Sequence, residues 1–480
     1  MSNNKNQNSY SKLFSNTLIF AIGSFSSKFL VFLLLPLYTT ALSKEQFGTV
    51  DLLVQTANLI IPIATLAIAE SVIRFGLDKK HNKTAIFSSA LGVVFIGLAI
   101  VGVILPFISQ TKFIKGYAVL LFWYVATACI KLVITEFIRA KQYIKLYAFN
   151  GILTTFCMIL FNIIFLVGFK WNINGYLLAI ILSDTISIIF LFFIAELWKY
   201  ISIKSINKKL LKQMLAFSIP LMPAMVMWWI TNVSDRFLVR GFLGDDANGL
   251  YAAAYKLPTI VTTIYSMFSR AWNISAITEY NSKQKNKFYT NVFNSNQSVI
   301  YVVAAGILLL LIPMHSILVN EKFFEAYRFT PLLVVAAIFT CYSTFLGSIY
   351  SASKKSINTF VTISVAGVLN IILNIILIPH IGINGASLAT LLSYLLVFIL
   401  RIVDVNRFVR IKVDFSRMIL SVAIILAMAI SLIFMDKYLY FVLIPCFALV
   451  LLLNFSVLIK SMRAVMPERI KRKIPFLRTK

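Results

Sequence analysis

Acidic residues are scarce in this chain. Only 17 Asp and Glu stand against 45 Lys and Arg, leaving a formal net charge of +28. Cysteine is rarer still. Cys129, Cys157, Cys341 and Cys446 all fall in apolar runs and none has a CxxC spacing, which argues against a redox or zinc motif and leaves packing as their role. The three histidines, His81, His315 and His380, are too scattered to form a metal-ligand set. Long polar loops are missing as well. The longest interruptions, at residues 199–212, 279–291 and 320–329, run roughly a dozen residues, too few to hold a catalytic domain, and no Gly-rich phosphate loop occurs. The sequence therefore gives no catalytic residue, no metal site and no cofactor, and ATP hydrolysis is not expected of it.

What the chain has in excess is hydrocarbon. Hydrophobic side chains make up 60% of it, charged ones 13%, and the mean hydropathy is +0.87. A water-soluble fold could not hide that much apolar surface. Runs of about 17–25 residues, the length that crosses roughly 30 Å of hydrocarbon as a helix, recur from end to end. About fourteen can be placed, beginning near Phe14, Val50, Ala85, Tyr117, Tyr147, Gly175, Met214, Leu250, Val299, Thr330, Thr359, Asn384, Met418 and Tyr438. Their length and period exclude a membrane β-barrel, whose strands are about ten residues of alternating character. The fold class is an all-α integral membrane protein. The first run is too long for a signal-peptide core and has no small-residue cleavage site after it, so it is expected to remain as helix 1.

Where the cations lie decides what they are for. With the N-terminus in the cytosol, cytosolic segments hold about 32 Lys and Arg, opposite-side segments about 8, and about 5 fall inside helices, which is the positive-inside pattern. Residues 460–480 and 401–417 contribute most to the cytosolic share. Both termini are thus expected in the cytosol, and the loops at 241–249 and 320–329 outside. Topology and attraction to anionic membrane lipids account for the charge, and nucleic acid is not needed as a partner.

Residues 203–214 read as a cytosolic amphipathic helix, with Ile203, Ile206, Leu210 and Met214 on one side and Lys204, Lys208 and Lys212 on another. This linker divides the helices six and eight. An internal repeat strengthens the division: residues 162–183 read NIIFLVGFKWNINGYLLAIILS and residues 374–393 read NIILIPHIGINGASLATLLS. A fainter echo pairs FGTVDLL from Phe47 with NGLYAAA from Asn248. An even number of helices separates the copies, so they share an orientation, as in parallel repeats about an axis along the membrane normal. The expected organisation is two pseudo-symmetric six-helix lobes plus two C-terminal helices. Residues 1–200 form the first lobe, 201–213 the linker, 214–412 the second lobe, and 413–480 helices 13 and 14 with a basic cytosolic tail.

Five cations lie within or near the apolar spans: Lys28, Lys131, Arg236, Lys256 and Arg270. Each costs roughly 2.5–3.5 kcal/mol at a helix centre unless it is paired, wetted or able to snorkel to the interface. On a single helix 8, Lys256, Thr263 and Arg270 are seven residues apart and would share a face about 21 Å long, flanked by Thr259 and Ser266. Such a stripe suits an anionic group moving along it, whereas a structural ion pair would need only one cation. Lys28 sits near the middle of helix 1 on a stripe with Thr17 and Ser24. In helix 7, Pro220 and Pro223 are expected to bend the chain. Beyond them Asp235 and Arg236 fall near the outer interface, where local structure, topology and substrate contact are all open roles. Among the acids, Asp184 is a candidate for proton or cation coupling or for pairing with a cation in the bundle, Asp235 for the same two roles, and Glu70 is expected to pair with Arg74 four residues on.

Three stretches carry a family resemblance: NTLIFAIGSFSSKFLVFLLLPLYTTALSKEQFGTVDLL, VSDRFLVRGFLGDDANGLYAAAYKLPTIVTTIYSMFSRAWNISAITEY and NIILNIILIPHIGINGASLATLLSYLLVFILR. They resemble bacterial flippases of polysaccharide repeat units, those of O-antigen, capsule or exopolysaccharide. These belong to the superfamily that also holds multidrug and toxin extruders and the peptidoglycan lipid flippase. The resemblance covers most of the chain. It implies a two-lobed bundle in the bacterial plasma membrane, with a cavity bordered by helices 1, 2, 7 and 8 that opens to each side in turn. It also implies an oligosaccharide on an undecaprenyl pyrophosphate anchor as cargo, with polysaccharide polymerase or export machinery as possible partners. Lys28, Arg236, Lys256 and Arg270 are then the candidates for holding the pyrophosphate. A multidrug or organic-cation antiporter on the same architecture is the alternative, and a membrane-embedded polymerase or glycosyltransferase is the reading from a different class. The basic stripe argues against the first and the short external loops against the second.

Overall fold

The structure is a computed structural model that describes residues 34–78, 80–110, 114–353 and 355–465, without the side chains of Ile108, Arg270, Ala271, Ile274, Thr278, Ser356 and residues 461–465. The expected helix 1 from Phe14, with Lys28, lies outside the described residues. Among those described, every regular element is helical, and twelve helical segments are long and apolar enough to cross a membrane. The all-α membrane fold class stands.

The chain forms two compact units, Met1–Val233 and Ser234–Lys480. In the first, α1 (Leu35–Ala41) leads to α2 (Lys44–Ala64), and α3 (Ile68–Leu77) to α4 (Lys83–Ile108), α5 (Ala118–Ala140), α6 (Ile144–Asn162) and α7 (Asn172–Ile194). Helix α2 starts on a capping box: the Ser43 side chain accepts the Gln46 N–H and the Gln46 side chain accepts the Ser43 N–H. Leu66 and Ala67, both at positive φ (49° and 51°), separate α2 from α3. Polar contacts tie the apolar helices together, as expected where helices gain little from hydrophobic burial against lipid. The Ser187 hydroxyl of α7 donates to Asn150 Oδ1 of α6 at 2.9 Å.

The linker differs from its sequence reading at its start. Residues 203–205 form a single 3₁₀ turn and Ile203 is 85% exposed. The helix α8 (Lys208–Ser218) begins only after Asn207, whose side chain accepts the N–H groups of Lys209 and Leu210 and so caps it. Leu210 and Met214 are buried as the stripe requires, and the Met214 carbonyl accepts the Ser71 hydroxyl of α3 at 2.6 Å. Helix α8 therefore packs with the first unit. It runs through a 3₁₀ turn at Ile219–Leu221, where Pro220 sits, into α9 (Met222–Leu243). The division between the two units falls inside α9.

The second unit continues with α10 (Asp245–Lys256), α11 (Pro258–Glu279), α12 (Lys285–Leu309), α13 (Leu311–Leu318), α14 (Thr330–Ala352), α15 (Ser356–Ile381), α16 (Ile383–Val405), α17 (Phe415–Phe434) and α18 (Leu439–Val465). Helix α14 is the core, with buried residues around nearly its whole circumference. Trp272 of α11 lies flat on Phe345 of α14, ring centroids 4.3 Å apart, and donates to Ser348 Oγ at 2.6 Å. Helices α17 and α18 are joined by Asn454, which donates to Ser421 Oγ at 3.1 Å.

The internal repeat maps onto two equivalent hairpins, α6–α7 and α15–α16. The shared Asn-Gly does not itself make the turn. In both copies it lies in the first turn of the second helix, and the reversal is made just before it, at Lys170 and Asn172 (φ 55° and 46°) in one and at Gly382 (φ 62°) in the other. The glycine is there for close approach: a Cβ on Gly175 would sit 3.1 Å from Phe165 Cβ, and one on Gly385 2.6 Å from the Leu377 carbonyl. The fainter echo also has a counterpart, since both segments begin at the fourth residue of their helices, α2 and α10, and both are buried throughout.

Candidate functional site

The candidate residues of the second unit fall on three consecutive helices, α9, α10 and α11. Asp235 of α9 is completely buried. One carboxylate oxygen accepts the Arg236 N–H at 2.9 Å. The other accepts the Tyr251 hydroxyl of α10 and the Thr390 hydroxyl of α16, the latter at 3.2 Å. Three donors thus compensate a charge that would otherwise be costly in an apolar bundle. Arg236, 7% exposed, carries its guanidinium 4.8 Å from the ring centroid of Tyr255. Ser234, next in line, donates to Asn370 Oδ1 of α15 at 3.1 Å, and the Asn374 amide donates to the same oxygen at 2.9 Å. Asp235 and Arg236 are buried about 12 Å inside the end of α9, at 1.5 Å per residue. At that end Arg240 makes a two-pronged contact with Asp245, at the start of α10.

The stretch expected as a single helix 8 is divided in its hydrogen bonding at Pro258. Lys256 closes α10 and Pro258 opens α11, with a turn at Leu257. Proline has no N–H to donate and its ring crowds the carbonyl four residues back, so Lys256 and Arg270 do not share one uninterrupted helix. Leu257 nevertheless keeps right-handed helical angles (φ −65°, ψ −43°), so what is interrupted is the hydrogen bonding, while the backbone stays helical from α10 into α11. Lys256 is half-buried, and Arg270 is described only as a backbone position in α11. The hydroxyls of Thr259, Thr262 and Ser266 donate to carbonyls three residues back, which spends their protons on the helix itself.

In the first unit Asp184 of α7 pairs with Lys131 of α5, Nζ to Oδ1 at 2.5 Å. This joins two charges that the sequence reading considered separately. Glu136 receives both contacts from Arg139 at 2.7 Å. The expected Glu70–Arg74 pair is not formed among the described residues; the Arg74 guanidinium instead lies 5.0 Å from the ring centroid of Phe217. Cys129, Cys157 and Cys341 are buried and Cys446 half-buried, all as free thiols.

Arg401, expected in a cytosolic loop, is a core residue: α16 extends to Val405 and buries it to 5% exposure. Its guanidinium donates to Thr362 Oγ1 (3.0 Å), the Ser343 carbonyl (2.6 Å) and the Thr359 carbonyl (3.4 Å). The signal that could have placed it is helical period: Tyr394, Val397, Phe398, Ile402 and Val405 define the buried face of α16, and position 401 falls on it.

Residues 13–273, more than half of the chain, match a family described as polysaccharide biosynthesis protein. The probable low-salt glycan biosynthesis flippase Agl15 of Haloferax volcanii is 26% identical over 188 residues, 38% of this chain and 39% of that relative. Among solved structures, a lipid II flippase MurJ in an inward closed conformation superposes with a TM-score of 0.70 at 16% identity, covering 93% of this chain and 99% of that one. An inward-facing multidrug resistance MATE family transporter of the MOP superfamily superposes with a TM-score of 0.67 at 14% identity, covering 81% and 98%. At such identities the structural likeness speaks to fold alone.

Proposed function

The chain belongs to the polysaccharide biosynthesis protein family, and from that premise we propose that it is a flippase. It moves an undecaprenyl-pyrophosphate-linked oligosaccharide repeat unit across the bacterial plasma membrane by alternating access, for polysaccharide export. The observation that carries this reading is that the family match at 13–273 contains all four cations assigned to the substrate, Lys28, Arg236, Lys256 and Arg270. Pyrophosphate cannot enter a hydrocarbon environment without countercharge, and cations on polar helices supply it where the low dielectric strengthens the attraction. In this account Arg236 holds the headgroup beside Tyr255, while Lys256 and Arg270, on either side of the Pro258 break, receive it in succession. Both termini and the linker face the cytosol, and the protein works as a transporter with no catalytic centre of its own. Membrane lipids surround it, and polymerase or export machinery takes the product onward.

The organic-cation alternative would draw on buried acids. Asp184 and Asp235 already accept from Lys131 and from Tyr251 and Thr390 respectively, which favours structural roles for both. Deleting the gene in the producing cells and extracting their lipids tests the proposal. Pyrophosphate-linked repeat units are expected to accumulate while their synthesis continues. Unchanged lipid intermediates, with new sensitivity to organic cations, would support the alternative.

A further inference from the structure

The chain between α7 and α8 is short, irregular and tied down to the first unit. Ser88 Oγ of α4 accepts the Ser202 N–H at 2.9 Å and donates to the Tyr200 carbonyl at 3.1 Å, and the Tyr200 hydroxyl accepts from Lys141 Nζ at 2.7 Å. Ile201 and Ser202 are extended, so the side chains of Ile201 and Ile203 leave on one face of the chain. Trp198 and Ile201 are exposed, and Ile203 is 85% so. Holding three large apolar side chains in water within six residues is costly. Cations stand among and beyond them: Lys199, Lys204, Lys208, Lys209 and Lys212 are all exposed. Glu196 pairs with Lys199, and from there to Asp235 the sequence has no acid.

We propose that this segment is a docking surface for anionic phospholipid, with Trp198, Ile201 and Ile203 seated among the outermost acyl carbons and the lysines on the phosphates. Exposed apolar side chains alone would suit any cover. The lysines select a negatively charged one, and the position of the segment selects a bilayer. Helix α7 is long and apolar enough to cross a membrane, and Phe193 and Ile194 in its last turn are exposed. Trp198 continues that surface, its ring centroid 5.8 Å from Phe192 and 6.0 Å from Phe193. A tryptophan just past the end of a membrane helix marks the headgroup level. Beyond it, apolar burial and lysine charge together hold a segment at an anionic interface. This docking rests on the linker lying at a face of the membrane, as the topology above has it, and does not depend on which cargo crosses.

The test is amide hydrogen exchange of the full-length protein in nanodiscs, read by mass spectrometry, with phosphatidylcholine alone or mixed with phosphatidylglycerol. Exchange across residues 201–206 is expected to be at least about tenfold slower when phosphatidylglycerol is present. The combined variant Lys204→Gln, Lys208→Gln, Lys209→Gln, Lys212→Gln should lose that slowing, as should Ile203→Asp. All five side chains are exposed, so the amides of α7 should keep their wild-type exchange in both variants. Equally fast exchange in the two lipids would leave a solvated linker, and equally slow exchange a linker covered by protein. Either result, in the wild type alone, would overturn the proposal. So would slowing that survives the combined lysine variant.

Discussion

Replacing Lys256 and Arg270 together by Gln is expected to lower flipping by about a hundredfold or more per folded molecule while leaving membrane insertion intact. Each cation offers the pyrophosphate a charge-assisted hydrogen bond of about 1.5–3 kcal/mol, and about 1.4 kcal/mol corresponds to tenfold in rate. Removing a charge from a membrane segment lowers insertion cost, so a fall in activity with unchanged protein level points to substrate contact. Lys256→Arg and Arg270→Lys should retain partial transport, because they keep the charge and change only its geometry and hydration. Purely structural cations would behave in the opposite way: each single Gln variant would strand an acid partner and reduce folded protein, with recovery when that acid is also neutralised. Reconstituted vesicles with protein-normalised flipping separate the two. Near-normal flipping by the double variant would remove the basic-residue mechanism and bring the organic-cation reading forward.

Lys131→Met should be among the most destabilising single substitutions in the first unit. It leaves the Asp184 carboxylate, 8% exposed, without the ammonium that now sits 2.5 Å away. Breaking one side of such a pair costs about 3 kcal/mol, whereas replacing both members by apolar residues is close to neutral. The double variant Lys131→Met with Asp184→Leu should therefore recover most of the lost thermal stability in detergent and flip at close to the wild-type rate. Stability recovered without flipping would assign Asp184 to coupling and contradict the structural role.

The parts of this molecule that depend on local pattern were legible in its sequence. Apolar run length gave the membrane class and most of the helices, and the duplicated Asn-Gly phrase located two hairpins, each with the phrase in the first turn of its second helix. The errors have physical causes. The seven-residue spacing of Lys256, Thr263 and Arg270 predicts one continuous helix; Pro258 withdraws a backbone donor inside that stretch and divides its hydrogen bonding between α10 and α11, while Leu257 keeps helical angles. The linker helix was begun at Ile203 on apolar period alone, although Asn207 is the better cap. Arg401 was assigned to a loop because charge was weighed above period, and the neutral acceptors that hold it, the Ser343 and Thr359 carbonyls and the Thr362 hydroxyl, come from helices distant in sequence. The same is true of Asp235, whose partner Thr390 lies 155 residues away. Tertiary hydrogen bonds of that kind leave no periodic trace.

The most direct measurement of the central claim is transbilayer movement of a pyrophosphate-linked oligosaccharide in vesicles containing only the purified protein. A label on the sugar, quenched by a membrane-impermeant reagent, reports how much cargo has reached the outer leaflet. The account predicts movement well above that of protein-free vesicles, with a marked loss in the Lys256→Gln, Arg270→Gln double variant. A wild-type rate equal to that of empty vesicles, in protein that is folded and carries an organic cation across the same bilayer, would contradict it.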